Sequence, residues 1–126
     1  MKTLWILTLL LANLLVFHCG SKMSIEEMFA KAQELQKQQK FNEAIVIFEK
    51  IIETTDNKDY AAKASFMIGF IYSENLEDYD NARKIFEDFL EKYPDNESLI
   101  ESARWELEHM GKDLDTLPIF QDSITK

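Results

Sequence analysis

The residues of this chain with reactive side chains are few. Cys19 is the only cysteine, standing in "LLVFHCGSK" directly after an apolar run. A single thiol builds neither an internal disulfide nor a cysteine-based metal site. Of the two histidines, His18 falls in that same N-terminal stretch, and His109 stands near the end of a helical pattern, where its charge favours the helix dipole. No serine, cysteine or lysine lies in a recognisable nucleophile motif. The acidic stretches "LEDYD" and "YPDNE" lack the twelve-residue loop with a central glycine that calcium chelation uses, and they read as helix caps. We therefore expect no enzyme, no cofactor and no metal. What stands out instead is Cys19 and a set of aromatic side chains spaced along helices.

The elements around Cys19 come first. Lys2 precedes a run from Leu4 to Phe17 that is apolar except for Thr8 and Asn13. It is shorter than the roughly 20 residues a membrane-spanning helix needs, and it fits a signal-peptide core better. The stretch resembles a bacterial lipobox, in which the apolar run ends at a cysteine that is lipidated on sulfur and becomes the new N-terminus. Val16, Cys19, Gly20 and Ser21 match, whereas Phe17 and His18 depart from the usual small residues. Several acyl chains at about 0.8 kcal/mol per buried methylene would anchor such a chain stably. The alternative is an uncleaved or differently cleaved signal with an incidental thiol. The expected organisation is a signal peptide over 1–18, a linker over 19–23, a helical domain over 24–111 and a tail over 112–126.

Removing residues 1–18 leaves 13 basic and 23 acidic side chains, a net charge of −10. Such a surface repels phosphate backbones, which argues against nucleic acid as a partner. From Ser24 onward there is no strand-like alternation, and the only prolines are Pro94 and Pro118. The expected fold class is all-α, with about five helices. Ser24 and Glu27 are spaced as a capping box for the first, which runs to about Gln39. The second, from about Asn42 to Thr54, carries Ala44, Ile47, Phe48, Ile51 and Ile52 on one stripe. Asp59 is expected to cap a third ending near Glu74, and Asp80 a fourth ended by Tyr93 and Pro94. A fifth runs from about Glu97 to Met110, with Gly111 as its left-handed stop.

These helices pair into hairpins that repeat. Ala44 and Phe48 recur as Ala82 and Phe86, and Ala32 and Leu35 recur as Gly69 and Tyr72. Residues 65–94 resemble the tetratricopeptide repeat, with Ile68, Gly69 and Tyr72, then Ala82 and Phe86, then Pro94; Ser65 holds the opening tryptophan position, and the turn in "SENLEDYDNA" has one extra residue. Residues 25–56 form a weaker copy through Met28, Ala32, Leu35, Ala44 and Phe48. A third is half present, Ala103, Trp105 and Leu107 falling where Ala64, Phe66 and Ile68 fall, and its helix is expected to cap the array. The resemblance implies antiparallel hairpins stacked as a short right-handed solenoid, small residues letting backbones approach and phenylalanines filling the space between.

In that family the position shared by Phe29, Phe66 and Trp105 lies toward the concave groove, which implies a peptide-binding ladder flanked by Gln33, Lys63 and Phe70. Packing of these rings on one another and on the tail is the alternative. The tail "KDLDTLPIFQDSITK", with Leu114, Leu117, Ile119 and Phe120, is expected to fold back on the last helix, the alternative being a partner or a second copy. The plan as a whole resembles small bacterial envelope lipoproteins of the outer-membrane assembly and Tol-Pal coordinator types. That resemblance implies a non-enzymatic adaptor on the periplasmic side, with the outer membrane favoured over the inner. A structural subunit with its groove self-filled and a soluble periplasmic protein are the other readings.

Overall fold

A computed structural model describes residues 22–112. Cys19, the expected signal segment and the tail from residue 113 lie outside the described residues, as does the question of where that tail packs. The described residues are all helical: α1 Ile25–Lys37, α2 Phe41–Thr54, α3 Lys58–Phe70, a π-helical segment Ile71–Asn75, α4 Tyr79–Lys92 and α5 Glu97–His109.

Capping side chains set three of the five α-helix starts, while Lys40 and Asn96, which precede α2 and α5, make no side-chain cap. At α1 the Ser24 hydroxyl accepts from the Glu27 amide at 3.1 Å while the Ser24 amide donates to the Glu27 carboxylate at 2.8 Å, the reciprocal box that satisfies two otherwise orphaned donors. The caps of the next two hairpin elements differ from expectation. Asn57, not Asp59, caps α3, its side-chain oxygen accepting from the amides of Asp59 and Tyr60 at 2.9 and 3.4 Å. Asp78, not Asp80, caps α4, accepting from the Asn81 amide at 3.2 Å. In both cases the capping side chain stands two residues earlier and reaches forward to the free amides. Asp59 and Asp80 lie inside the first turn, where their charge favours the positive end of the helix dipole. α5 ends in a type II turn: Met110 has φ −54 and ψ 133, Gly111 has φ 75, and the Lys112 amide donates to the His109 carbonyl at 3.0 Å. That second central position requires a positive φ, which glycine adopts without strain.

The extra residue in "SENLEDYDNA" is taken up inside a helix. In the first hairpin the Lys40 amide closes on the Leu35 carbonyl at 2.9 Å; in the second the matching bond runs from the Asp78 amide to the Tyr72 carbonyl at 2.8 Å, one residue longer. The chain absorbs the difference by widening one turn, so that the Leu76 amide reaches back five residues to the Ile71 carbonyl at 3.0 Å. Gln39 and Glu77, with φ of 60 and 52, occupy the same place in the two turns. The helix beyond α3 thus extends to Asn75, close to the expected end at Glu74.

Successive helices pack on one another, and α5 also touches α3. The core divides in two along this stack. One cluster, between α1, α2, α3 and the start of the π-helical segment, holds Met28, Ala32, Ala44, Ile45, Phe48, Ile51, Ala64, Ile68 and Ile71; the other, between α3, α4 and α5, holds Ala62, Ala82, Phe86, Phe89 and Ala103. Tyr72 packs against both. Each hairpin therefore buries its apolar face only with its neighbour's help, which is the physical basis of a helical repeat solenoid.

Candidate binding face

The residues expected to pack the repeat differ in burial. Ala32, Ala44, Phe48, Ala82 and Phe86 are fully buried, and Ile68 and Gly69 are buried beside them. Leu35 and Tyr72 are half-buried, and Pro94 is exposed just beyond the end of α4. Gly69 is set by close approach: a Cβ there would lie 2.7 Å from Phe86 Cε1 and 2.9 Å from Cζ, so the ring rests on the α3 backbone.

The aromatic side chains separate into two behaviours. Phe29 and Phe66 occupy equivalent places and each turns inward onto the second helix of its hairpin, Phe29 on Phe48 with ring centroids 5.1 Å apart and Phe66 on Phe86 at 5.5 Å. Phe29 also meets Tyr60, and Phe66 meets Phe89 and Phe70. Trp105 holds the third equivalent place, where among the described residues no following helix receives it. It stacks on His109 at 4.6 Å and remains 42% exposed.

Three open depressions lie along the side formed by α1, α3 and α5. Gln33 borders one together with Gln36, Lys37 and Asn75, where the Gln36 amide donates to Asn75 at 3.2 Å and ties α1 to the π-helical segment. Phe66 and Trp105 border the second with Glu101, Ser102 and Glu106. Phe70 and Trp105 border the third with Glu74, Glu77, Tyr79 and Glu106. The structure thus brings Phe66, Phe70 and Trp105 to one region and sets Gln33 one hairpin away. Phe29 is committed to the first core cluster, and the Lys63 ammonium sits 5.9 Å from the centroid of the Tyr60 ring.

Glu106 is a member of this face that periodicity did not single out. It is 7% exposed, on the inner side of α5. The Ser73 hydroxyl can donate to it at 3.3 Å or to Glu74 at 3.2 Å, one proton serving one acceptor at a time. Desolvation by burial is the main cause that raises the Glu106 carboxyl above the ordinary carboxylate value, the Glu74 charge adds to it, and the Ser73 hydrogen bond and His109 oppose it. The only signal in the sequence was an acidic residue at the register of Met67, an inward place of α3.

Among the described residues no group of three or more His, Cys, Asp or Glu side chains could hold a metal ion, and no helix is long and apolar enough to cross a membrane. A family model described as a tetratricopeptide repeat matches residues 63–96, the stretch that runs from within α3 through the widened turn and α4. Neither a curated protein nor a solved structure matches the chain. The chain carries a tetratricopeptide repeat within an all-helical stack. Such repeats mediate protein–protein interactions and are typically non-enzymatic.

Proposed function

We propose that this protein is a non-enzymatic adaptor of the bacterial cell envelope, anchored by lipid on Cys19 and offering the side formed by α1, α3 and α5 to a protein or peptide partner. The observation that carries the adaptor reading is the contrast between equivalent rings: Phe29 and Phe66 are drawn into the core, while Trp105 lies open beside Phe66 and Phe70. A large aromatic at a partly open, aromatic-lined depression is the kind of group that anchors protein interfaces. Support for the anchor is the "LLVFHCGSK" stretch, whose cysteine stands five residues before the capping box that opens the domain. The net negative charge favours a protein partner over a nucleic acid.

Two experiments test the two halves. Intact-mass analysis of the protein from the membrane fraction of its host should show a chain starting at acylated Cys19; a free thiol with a different N-terminus removes the anchor. A photo-crosslinking side chain placed at Trp105 in living cells should capture one discrete envelope protein, and the same group at the exposed Glu87 of α4 should not. Equal or absent capture at both positions removes this face as the partner site.

A further inference from the structure

The first hairpin ends the described stack, and the outward side of a terminal repeat is ordinarily polar because no neighbour covers it. Here it is not. Residues 22–24, α1 and α2 enclose an open depression of about 540 Å³ in which Met23, Ile25, Met28, Val46 and Ile47 form the apolar lining. Val46 is 61% exposed, and Met23 is exposed beside it. Lys22, Lys31 and Lys50 rim the depression, and no acidic side chain lines it. In a chain of net charge −9 this is a local reversal of sign. The two ion pairs among the described residues, Lys40 with Glu43 and Lys92 with Asp88, use none of the three.

An apolar surface rimmed by lysines matches a lipid boundary, with hydrocarbon-facing groups in the middle and cations at headgroup level. Connectivity points the same way. Lys22 follows Cys19 by three residues, which span at most about 10 Å when fully extended. An anchor at Cys19 therefore holds this end, and no other part of the domain, within reach of the headgroups. Electrostatics sharpen the orientation, since an anionic surface attracts the three lysines over about one Debye length and repels the acidic remainder of the domain.

We propose that the lysine-rimmed apolar depression formed by Lys22, Met23, Lys31, Val46, Ile47 and Lys50 docks on the anionic phospholipid headgroups of the membrane that carries the protein, fixing the domain's orientation with α5 pointing away. This rests on the anchored reading of Cys19. The anchor supplies attachment; this face supplies orientation.

The test uses the full chain as processed by its host, reconstituted into vesicles of phosphatidylcholine alone or with one third phosphatidylglycerol. The readouts are flotation and the rate at which each lysine is acylated by a water-soluble ester, followed by mass spectrometry. The expected result is that the protein floats with both vesicles, and that Lys31 and Lys50 react at least about fivefold more slowly on the anionic ones, while Lys63 and Lys84 react equally on both. Roughly 1 M salt, where the Debye length is about 3 Å, should abolish the difference. Val46→Glu, a change at an exposed position that leaves the core intact, should abolish it too. Flotation with equal labelling on both vesicles overturns the docking and leaves the anchor standing. Failure to float overturns the anchor and the docking with it. Protection already present in detergent overturns the docking in favour of another occupant, a second copy if it rises with protein concentration and the chain's own tail if it does not.

Discussion

The two hairpins solve the same packing problem with different residues at equivalent positions. In the first, Ala32 on α1 and Phe48 on α2 are fully buried in one cluster and the turn closes over five residues; in the second, Gly69 on α3 lies under Phe86 and the turn closes over six. The first core cluster holds no buried charged side chain, whereas Glu106 and Ser73 are buried beside the second. What is invariant between them is the ring and the small residue on the facing helix. What differs is how closely the backbones approach and what the stack must accommodate beyond.

Removing the shared ring should have the largest effect. Phe48→Ala and Phe86→Ala should each destabilise the domain by about 3–5 kcal/mol, because each empties a fully buried site and leaves a cavity between helices. A domain of this size has total stability on the order of 5–15 kcal/mol, so either variant should shift urea unfolding, followed by circular dichroism at 222 nm, far toward the unfolded state. Similar losses for the two would confirm that the rings play one role. A loss under about 1 kcal/mol at either would show that its hairpin is not held by its phenylalanine.

Exchanging the small residues separates the hairpins. Gly69→Ala places a methyl against the Phe86 ring and should cost about 1–3 kcal/mol of overpacking, offset by about 1 kcal/mol of regained helix propensity. The net effect is a loss of up to about 2 kcal/mol, and adding Phe86→Leu should make the alanine less costly than it is alone. Ala32→Gly, the reverse exchange, has no compensating gain and should cost about 1–2 kcal/mol. Gly69→Ala that stabilises the protein would show that the ring shifts freely and that the close approach is incidental.

The widened turn is a milder difference. Deleting the exposed Glu74 should let the second hairpin close over five residues as the first does, changing stability by less than about 1 kcal/mol and replacing the π-helical segment with ordinary α-helix. A loss well above that, in thermal unfolding, would mean that the wide turn is needed to hold Ser73 against α5.

The parts of this structure legible in the sequence were those fixed by repetition and by strong local pairs. Ala44 with Phe48 and Ala82 with Phe86 located both second helices, and Ser24 with Glu27 located the start of α1, because each is a short-range pattern with one geometric solution. The caps at Asn57 and Asp78 were missed by two residues, since "TTDNKD" and "EDYDN" each offer more than one capping side chain and only the path of the incoming chain selects between them. The candidate face was legible only in part. Equivalent positions for Phe29, Phe66 and Trp105 could be read by superposition, but whether a ring turns inward depends on the next helix, and α5 has no described successor. The burial of Glu106 is likewise a consequence of α3 and α5 meeting, a long-range fact that a helical period does not contain.

Glu106 gives the smallest and most specific test of that difference. Burial raises its carboxyl in the folded protein above the ordinary value, so the folded state holds the proton more tightly than the unfolded chain. The sign follows from linkage. The contribution of Glu106 is fully favourable below the unfolded value near 4.5 and is lost as pH rises through the higher folded value. Glu106→Gln, which keeps the shape and an acceptor for Ser73 but carries no charge, should therefore leave stability unchanged at low pH and raise it near neutrality, by roughly a few tenths of a kcal/mol once solvent screening is allowed for. The difference between variant and parent in urea midpoint, plotted against pH, should open in the window just above the ordinary carboxylate value. Met67→Gln, at the matching register on α3, should show no such pH dependence, because neither methionine nor glutamine titrates and Glu106 stays in place. A midpoint difference for Glu106→Gln that is constant across the window would mean that the side chain acts only through its packing and its hydrogen bond with Ser73.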